Sequence, residues 1–158
     1  IDSAVTNPVL KAFAEKSAAA KPGVLKKFRR YPVSVAAGVN EITNLPRPAG
    51  AAIAAIHVKK SDATKAELIV DNKSWFNFTK AMAEESQRRY GRSPQANHLH
   101  LDMMLQGDMF QTLNFPSAEQ LAKGVPPVQD MRLRVECATG GNLDVVVEYI
   151  DEWNPNGF

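Results

Sequence analysis

The sequence contains a single cysteine and no long apolar run, and both absences restrict what the protein can be. Cys137 has no second cysteine to bond within the 158 residues, which excludes an intrachain disulfide and a thiolate metal cluster. Its position in the alternating segment 131–137, with Met131, Leu133 and Val135, predicts a buried thiol on a strand. No stretch approaches the ~18 apolar residues that a membrane-spanning helix needs.

A strong excess of charge of one sign is also missing. The net charge of +2, with 44% hydrophobic and 23% charged residues, is ordinary for a folded domain and argues against specific nucleic-acid binding. The cations nevertheless cluster in one acid-free stretch that holds Lys16, Lys21, Lys26, Lys27, Arg29 and Arg30. We expect a positively charged strand edge there, with contact to an anionic partner such as phospholipid head groups as the alternative.

The motifs of common catalytic chemistries are absent as well. The sequence has no Gly-x-Ser-x-Gly elbow, no phosphate-binding loop and no dinucleotide fingerprint, and no histidine has an evident nucleophilic partner. The sequence motifs therefore give no support for nucleophilic catalysis or for a nucleotide cofactor.

One cluster of residues has the pattern of a chemical site. His98, His100 and Asp102 share one face if their segment is a strand, and His-x-His with a carboxylate is a metal-ligand pattern. Cupins use such a pair, but they also need a later glutamate and a further histidine. No histidine follows His100, and His57 lies earlier in the chain. A cupin-like metal- or ligand-binding sandwich is therefore an alternative, beside the simpler interpretation of a polar strand face that happens to carry two histidines.

Alternating apolar residues, glycines and prolines predict a series of short strands. Pro32 gives the first strand the character of a sheet edge, and Gln106-Gly107 predicts a tight hairpin between the strands that flank it. The eight predicted strands cover 24–35, 39–45, 52–59, 65–71, 97–105, 108–115, 130–137 and 143–150.

Helical spacing interrupts the strands. Trp75, Phe78 and Met82 predict one helix over about 74–91, capped by Ser74 and ended by Gly91. A shorter helix is predicted over 117–123, and another near the N-terminus, beginning at Asn7-Pro8 and stopped by Lys21-Pro22-Gly23. Eight strands with helices confined to connections indicate a mainly β, antiparallel sandwich, and this number suits a jelly roll of two facing four-stranded sheets.

The segment 40–50 is distinctive because Pro46 and Pro48 flank Arg47, which predicts a stiff, extended corner between two strands. With its continuation through 53–58 and the ending 147–158, the sequence resembles the C-terminal half of the major capsid protein of corticovirus-type bacteriophages. These phages carry a membrane inside an icosahedral protein shell. The resemblance covers about 12–158 and is strongest at 41–58, 103–110, 129–135 and 146–158.

The resemblance implies half of a double-jelly-roll capsid protein that forms pseudo-hexagonal homotrimers tiling a shell over an internal membrane. Such a protein is structural, is not an enzyme and requires no cofactor. Residues 1–23 are then a connector from a preceding domain and 24–158 a single jelly roll, whose last two strands lie in opposite sheets on either side of Gly140-Gly141. The implied partners are further copies in the capsid lattice, other virion proteins and the nearby viral membrane, without specific nucleic acid. The implied location is the virion shell, assembled in the host cytoplasm. The absent first domain and extra length at 117–127 depart from the family.

Three residues are candidates for subunit contacts. Arg47 on its rigid corner either meets an acidic group of a neighbouring subunit or is a solvated loop residue. Trp153 and Phe158 are apolar anchors that pack on their own domain or on an adjacent subunit. Structural calcium is a further expectation, with Asp62, Asp71 and Asp144 in or beside loops as oxygen donors, although no calcium-loop spacing is present. A phage accessory or spike protein on the same fold is the second alternative.

Overall fold

Two antiparallel sheets face each other in the computed structural model, which describes residues 23–108 and 111–153. The strands and helices are β1 Val24–Val35, β2 Gly38–Ile42, β3 Ala52–Lys59, β4 Ala63–Val70, β5 Lys73–Thr79, α1 Lys80–Arg89, β6 His98–Asp102, β7 Leu113–Asn114, α2 Ala118–Ala122, β8 Met131–Cys137 and β9 Gly141–Glu152.

The strand order is that of a jelly roll. The first sheet has the order β1-β9-β3-β6, with the short β7 paired to the start of β3, and the second has the order β2-β8-β4-β5. Successive strands mostly cross from one sheet to the other, so the predicted mainly β jelly roll is confirmed. The prediction that the last two strands lie in opposite sheets is also confirmed. A Cβ at Gly140 would lie 3.1 Å from the carbonyl oxygen of Val35, so glycine suits this crossing.

The core lies between the sheets and follows from the period-two patterning. Every second residue of β8 and β9 is buried, including Val135 and Val147, while β3 is buried along most of its length. Tyr149 has no exposed surface, and its hydroxyl donates a hydrogen bond to the carbonyl oxygen of Pro46 at 2.9 Å. Cys137 is buried as predicted, and this burial raises the pKa of its thiol.

Several boundaries agree with the sequence patterning. β1 and β3 begin and end at the predicted residues, and β1 lies at a sheet edge, as its proline indicated. The short helix α2 also forms where predicted, with a capping box between Ser117 and Gln120. The N-terminal helix and the 1–23 connector fall almost entirely outside the described residues. Across 23–108 and 111–153, no helix is long and apolar enough to span a lipid bilayer.

The predicted helix over 74–91 is wrong in its first third. The segment 73–79 is instead β5, which pairs with β4 and points Phe76 and Phe78 towards the core. Asp71 and Asn72 have φ values of 47° and 62°, so they form the two-residue turn of a hairpin. The three-residue spacing of Trp75 and Phe78 imitated a helix because a strand with aromatics on both faces gives the same pattern over so short a window.

The predicted hairpin at Gln106-Gly107 is also wrong. β6 ends at Asp102, and both β6 and β7 pair with β3, β6 along Ala55–Lys59 and β7 at Ala52–Ile53. Residues 103–107 form turns, in which the Gly107 amide donates to the Met104 carbonyl oxygen at 2.8 Å. Gly107 therefore indicates only a local turn. The positions of β6 and β7 in the sheet are set by their separate pairing with the long β3. The second sheet reaches four strands through β5, whereas β7 belongs to the first sheet.

The corrected start of α1 gives a test. Thr79 is the N-cap of this helix, because its hydroxyl accepts a hydrogen bond from the Met82 amide at 3.3 Å. We expect Thr79→Ala to lower the free energy of unfolding by about 1 kcal/mol in urea denaturation. Ser74→Ala, at the cap expected from the sequence, removes only an exposed hydrogen bond to Glu67 and should cost less, about 0.5 kcal/mol. The reverse order of the two effects would contradict the assignment of 73–79 as a strand.

Candidate functional site

The three residues of the suspected metal site lie on one outer face but do not converge. β6 buries Leu99 and Leu101, so His98, His100 and Asp102 all point away from the core. The Asp102 carboxylate, however, forms an ion pair with Arg92 and accepts a hydrogen bond from the Met104 amide at 2.9 Å.

A histidine on the neighbouring strand meets His100 instead. His57 of β3 lies directly opposite His100 of β6, and their Nδ1 atoms are 2.5 Å apart. The other ring nitrogen of His57, Nε2, lies 3.1 Å from Oε1 of Glu148 on β9, and Lys26 of β1 forms an ion pair with the same carboxylate at 2.8 Å. A polar chain therefore crosses four neighbouring strands of the first sheet.

Burial and charge set the protonation of this chain. Burial, followed by the charges of His57 and His98, lowers the pKa of His100 to about 4. The hydrogen bond from His57, supported by Lys26, lowers the pKa of Glu148 to about 2. Glu148 is therefore ionised at neutral pH, and we assign His57 Nε2 as the donor to it. With His57 neutral, its Nδ1 is an acceptor and His100 Nδ1 must donate.

This geometry favours a hydrogen-bonded cluster over a metal centre. Two ligand nitrogens on one tetrahedral zinc lie roughly 3.3 Å apart, given zinc–nitrogen bonds of about 2.05 Å. The two facing Nδ1 atoms are closer than that at 2.5 Å. Within residues 23–108 and 111–153, no group of three histidine, cysteine or acidic side chains is arranged to hold a metal. A shallow cavity of about 140 Å³, bordered by Gln87, lies beside the pair.

The three aspartates suggested for calcium have partners within the chain. Asp62 accepts hydrogen bonds from Lys60 and from the Thr139 amide, Asp71 accepts from the amides of residues 129 and 130, and Asp144 pairs with Arg30. The hydrogen bond from Lys60 is the main reason why the pKa of Asp62 lies well below its usual range. Asp62 and Asp71 flank opposite ends of β4, which separates them by about 30 Å at 3.3 Å per residue, so they cannot share one ion. Structural calcium stays a prediction from the sequence.

Three cations of the acid-free stretch that lie on β1 pair with acids of the neighbouring strand. Besides the Lys26–Glu148 pair, Lys27 pairs with Asp151 at 2.6 Å and Arg30 with Asp144 at 2.9 Å. All three acids belong to β9, which lies antiparallel beside β1. This pairing favours the expected strand edge over a patch reserved for an anionic partner.

The candidate contact residues lie at two separate places. Arg47 is exposed, and its Nη1 donates to the carbonyl oxygens of Val128 and Gln129 at 3.0 and 2.9 Å, tying the proline corner to the loop before β8. Trp153 is 40% exposed, and its amide donates to the Gly23 carbonyl oxygen at 3.1 Å. Phe158 lies outside the described residues. The subunit-contact roles of all three stay predictions.

Sequence reasoning did not connect His57 and Glu148 to the histidines of β6. The partners are 43 and 91 positions apart in the chain, and only the strand order and register bring them together. The one available signal was the polar character of His57 within an otherwise apolar strand. A polar residue in such a strand indicates a position that faces outwards, but it does not predict which residues lie next to it.

The strand order places the chain in the class of jelly-roll domains. In the part of the chain that the structure describes, no group of three histidine, cysteine or acidic side chains could hold a metal ion. Residues 25–153 match the family described as viral coat protein P2 C-terminal domain, and the chain belongs to this family.

Two further comparisons agree. The major capsid protein P2 of Pseudoalteromonas phage PM2 is 33% identical over 159 residues, which cover 100% of this chain and 56% of that protein. The crystal structure of the major capsid protein P2 from bacteriophage PM2 matches with a TM-score of 0.77 at 30% identity, over 87% of this chain and 48% of that one. The STIV MCP shares the fold, with a TM-score of 0.60 at 16% identity over 81% of this chain and 41% of that one. The chain thus spans about half the length of the relatives it matches.

Arg47 supplies a test of what the proline corner does. We expect Arg47→Ala to lower the free energy of unfolding by about 1–2 kcal/mol, because two backbone carbonyls lose a charged donor. Arg47→Lys keeps the charge but not the planar guanidinium, and should recover less than half of the loss in urea denaturation. Wild-type stability in both variants would mean that the arginine does not hold this corner to the domain.

Proposed function

We propose that this chain is a structural part of a viral capsid, the C-terminal jelly-roll half of a major capsid protein, and not an enzyme. The observation that carries the proposal is its similarity to the PM2 capsid protein P2, which extends over the whole chain in sequence and over 87% of it in structure. Similarity that continuous follows the framework of the fold and is not confined to a local site. Such a protein acts by packing against its neighbours, with apolar contacts at the centre of each interface and charges at its rim.

Ion pairs link neighbouring strands on the outer faces of both sheets, as expected for a subunit that stays rigid when it contacts other subunits. On the second sheet, Arg134 of β8 forms an ion pair with Glu41 of β2 at 2.7 Å and lies 3.9 Å from Glu67 of β4. On the outer face of the first sheet, two acids of β9 pair with two cations of β1. Neighbouring strands are therefore matched in charge across both outer faces, which favours one strand order over others.

We extend the proposal to the assembly. Copies that carry a preceding jelly-roll half form homotrimers of pseudo-hexagonal outline, and these trimers meet other virion proteins over an internal membrane after assembly in the host cytoplasm. Obligate interfaces of this kind are large and mostly apolar. Trp153 at the end of β9 is an exposed aromatic side chain that can serve as such an anchor, with Arg47 and Phe158 as the further candidates.

The assembly state tests this proposal. We expect light scattering on the protein containing both halves to give the mass of a trimer or of a larger assembly, with and without added calcium. Trp153→Ala should shift the mass towards the monomer, because a buried aromatic anchor commonly contributes about 2 kcal/mol or more to an interface. Trp75→Ala is the matched control, since Trp75 is 45% exposed against 40% for Trp153 and lies on β5.

A strict monomer at all concentrations would contradict the capsid proposal. Equal weakening by both tryptophan substitutions would contradict the placement of the contact at Trp153 while leaving the assembly itself supported.

A further inference from the structure

The hydrogen-bonded chain from Glu148 through His57 to His100 joins the edge of the first sheet to its interior. β6 is the outermost strand on its side, is five residues long, and pairs with β3 alone among the strands of the described residues. The His57–His100 contact of 2.5 Å lies in the middle of that pairing. A change at this contact therefore acts on a short edge strand that is held by a single neighbouring strand.

The proton count of the two rings determines whether the contact can form. One hydrogen between the facing Nδ1 atoms gives a hydrogen bond, and the pair can hold it while neutral or while one ring carries a positive charge. If both rings are cations, both Nδ1 atoms carry hydrogen and neither can accept. The contact then becomes two like charges with two hydrogens facing each other.

Glu148 is the carboxylate bonded to the pair, and its single charge can balance one positive charge on the two rings but not a second. The charged groups that face the pair come from each neighbouring element: Lys26 and Arg30 on β1, Lys59 on β3, His98 and Asp102 on β6, Arg92 after α1, and Asp144 and Glu148 on β9. The three carboxylates among them already form ion pairs, with Arg92, Arg30 and Lys26 respectively. The ring of His98 stacks on that of His100 with the ring centres 5.6 Å apart, and its charge contributes to the lowered pKa of His100.

We propose that the His57–His100 pair is an acid-operated latch, which holds β6 to β3 while the pair carries at most one positive charge and loosens β6 when both rings are charged. The inference rests on the side-chain geometry of the sheet and does not depend on the proposed capsid function.

The direction of the pH dependence follows from the protonation of His100. Its pKa is lowered from 6.5 to about 4 with β6 in place, so a loosened strand takes up the proton first. The stability of the β6 pairing is therefore complete above about pH 6.5, falls as the pH drops towards 4, and has lost this contribution below it. The lowered pKa of Glu148 adds a second loss at lower pH, between 4.5 and about 2.

Amide hydrogen exchange at β6, corrected for the intrinsic effect of pH, measures the latch directly. The pKa values of 6.5 and about 4 correspond to roughly a 30-fold change in the opening equilibrium at about pH 5, and solvent screening of a half-exposed ring reduces the expected loss of protection to about tenfold. In His100→Gln, which cannot become charged, β6 should keep its protection between about pH 7.5 and 5. His98→Gln is the matched control on the same strand face, because His98 Nδ1 bonds the Ala96 carbonyl oxygen and not His57. It should keep most of the acid-induced loss.

An equal loss of protection in wild type and His100→Gln would overturn the proposal. Nitrogen-15 spectra of the wild-type imidazoles provide a readout that does not depend on the folding of a variant. Hydrogen on Nδ1 of His100 at neutral pH, with titration of His100 well below 6.5, supports the latch. Titration of His100 near its ordinary 6.5, or displacement of the shared proton by stoichiometric zinc, overturns it.

Discussion

Strand β9 imposes the constraint on which the rest of the first sheet depends. It lies between β1 and β3, so both of its edges are hydrogen-bonded and both of its faces must be matched. Its inward residues Leu143, Val145, Val147 and Tyr149 have no exposed surface. Its outward acids meet the cations of β1 on one side and His57 on the other. A one-residue slip of this strand would place carboxylates in the core and valines in solvent, so its register is strongly fixed.

The charges on the outer faces select partners more than they add stability. Exposed ion pairs usually contribute about 0–1 kcal/mol each, whereas the buried faces of the strands supply the main driving force. The ion pairs between β1 and β9 are nevertheless specific, because three acids of one strand meet three cations of the other in a single register. For a protein proposed to build a shell, this arrangement means that these charges are already paired within the subunit.

Most of the polar side chains that the sequence suggested as functional have structural roles instead. Asp62 and Asp71 hold loops, Asp102 is fixed by Arg92, and Arg47 closes the proline corner. This use of charged residues agrees with a family whose matched relatives are capsid proteins. The His57–His100 pair differs from these residues. The hydrogen bond between its two facing nitrogens requires one shared proton, and the pair lies at the edge of the sheet.

The sequence by itself determined the fold class, the bounds of β1 and β3, the burial of Cys137 and the place of the short helix α2. Each of these follows from local alternation, proline or capping, which are written in neighbouring residues. The resemblance to a capsid family supplied the crossing at Gly140-Gly141, which turn chemistry alone would have made a hairpin. Only the tertiary structure decided that 73–79 is a strand, because pairing with β4 outweighed a helical spacing of aromatics. It also decided that His57, His100 and Glu148 are neighbours, since residues 43 and 91 positions apart meet only through strand order and register.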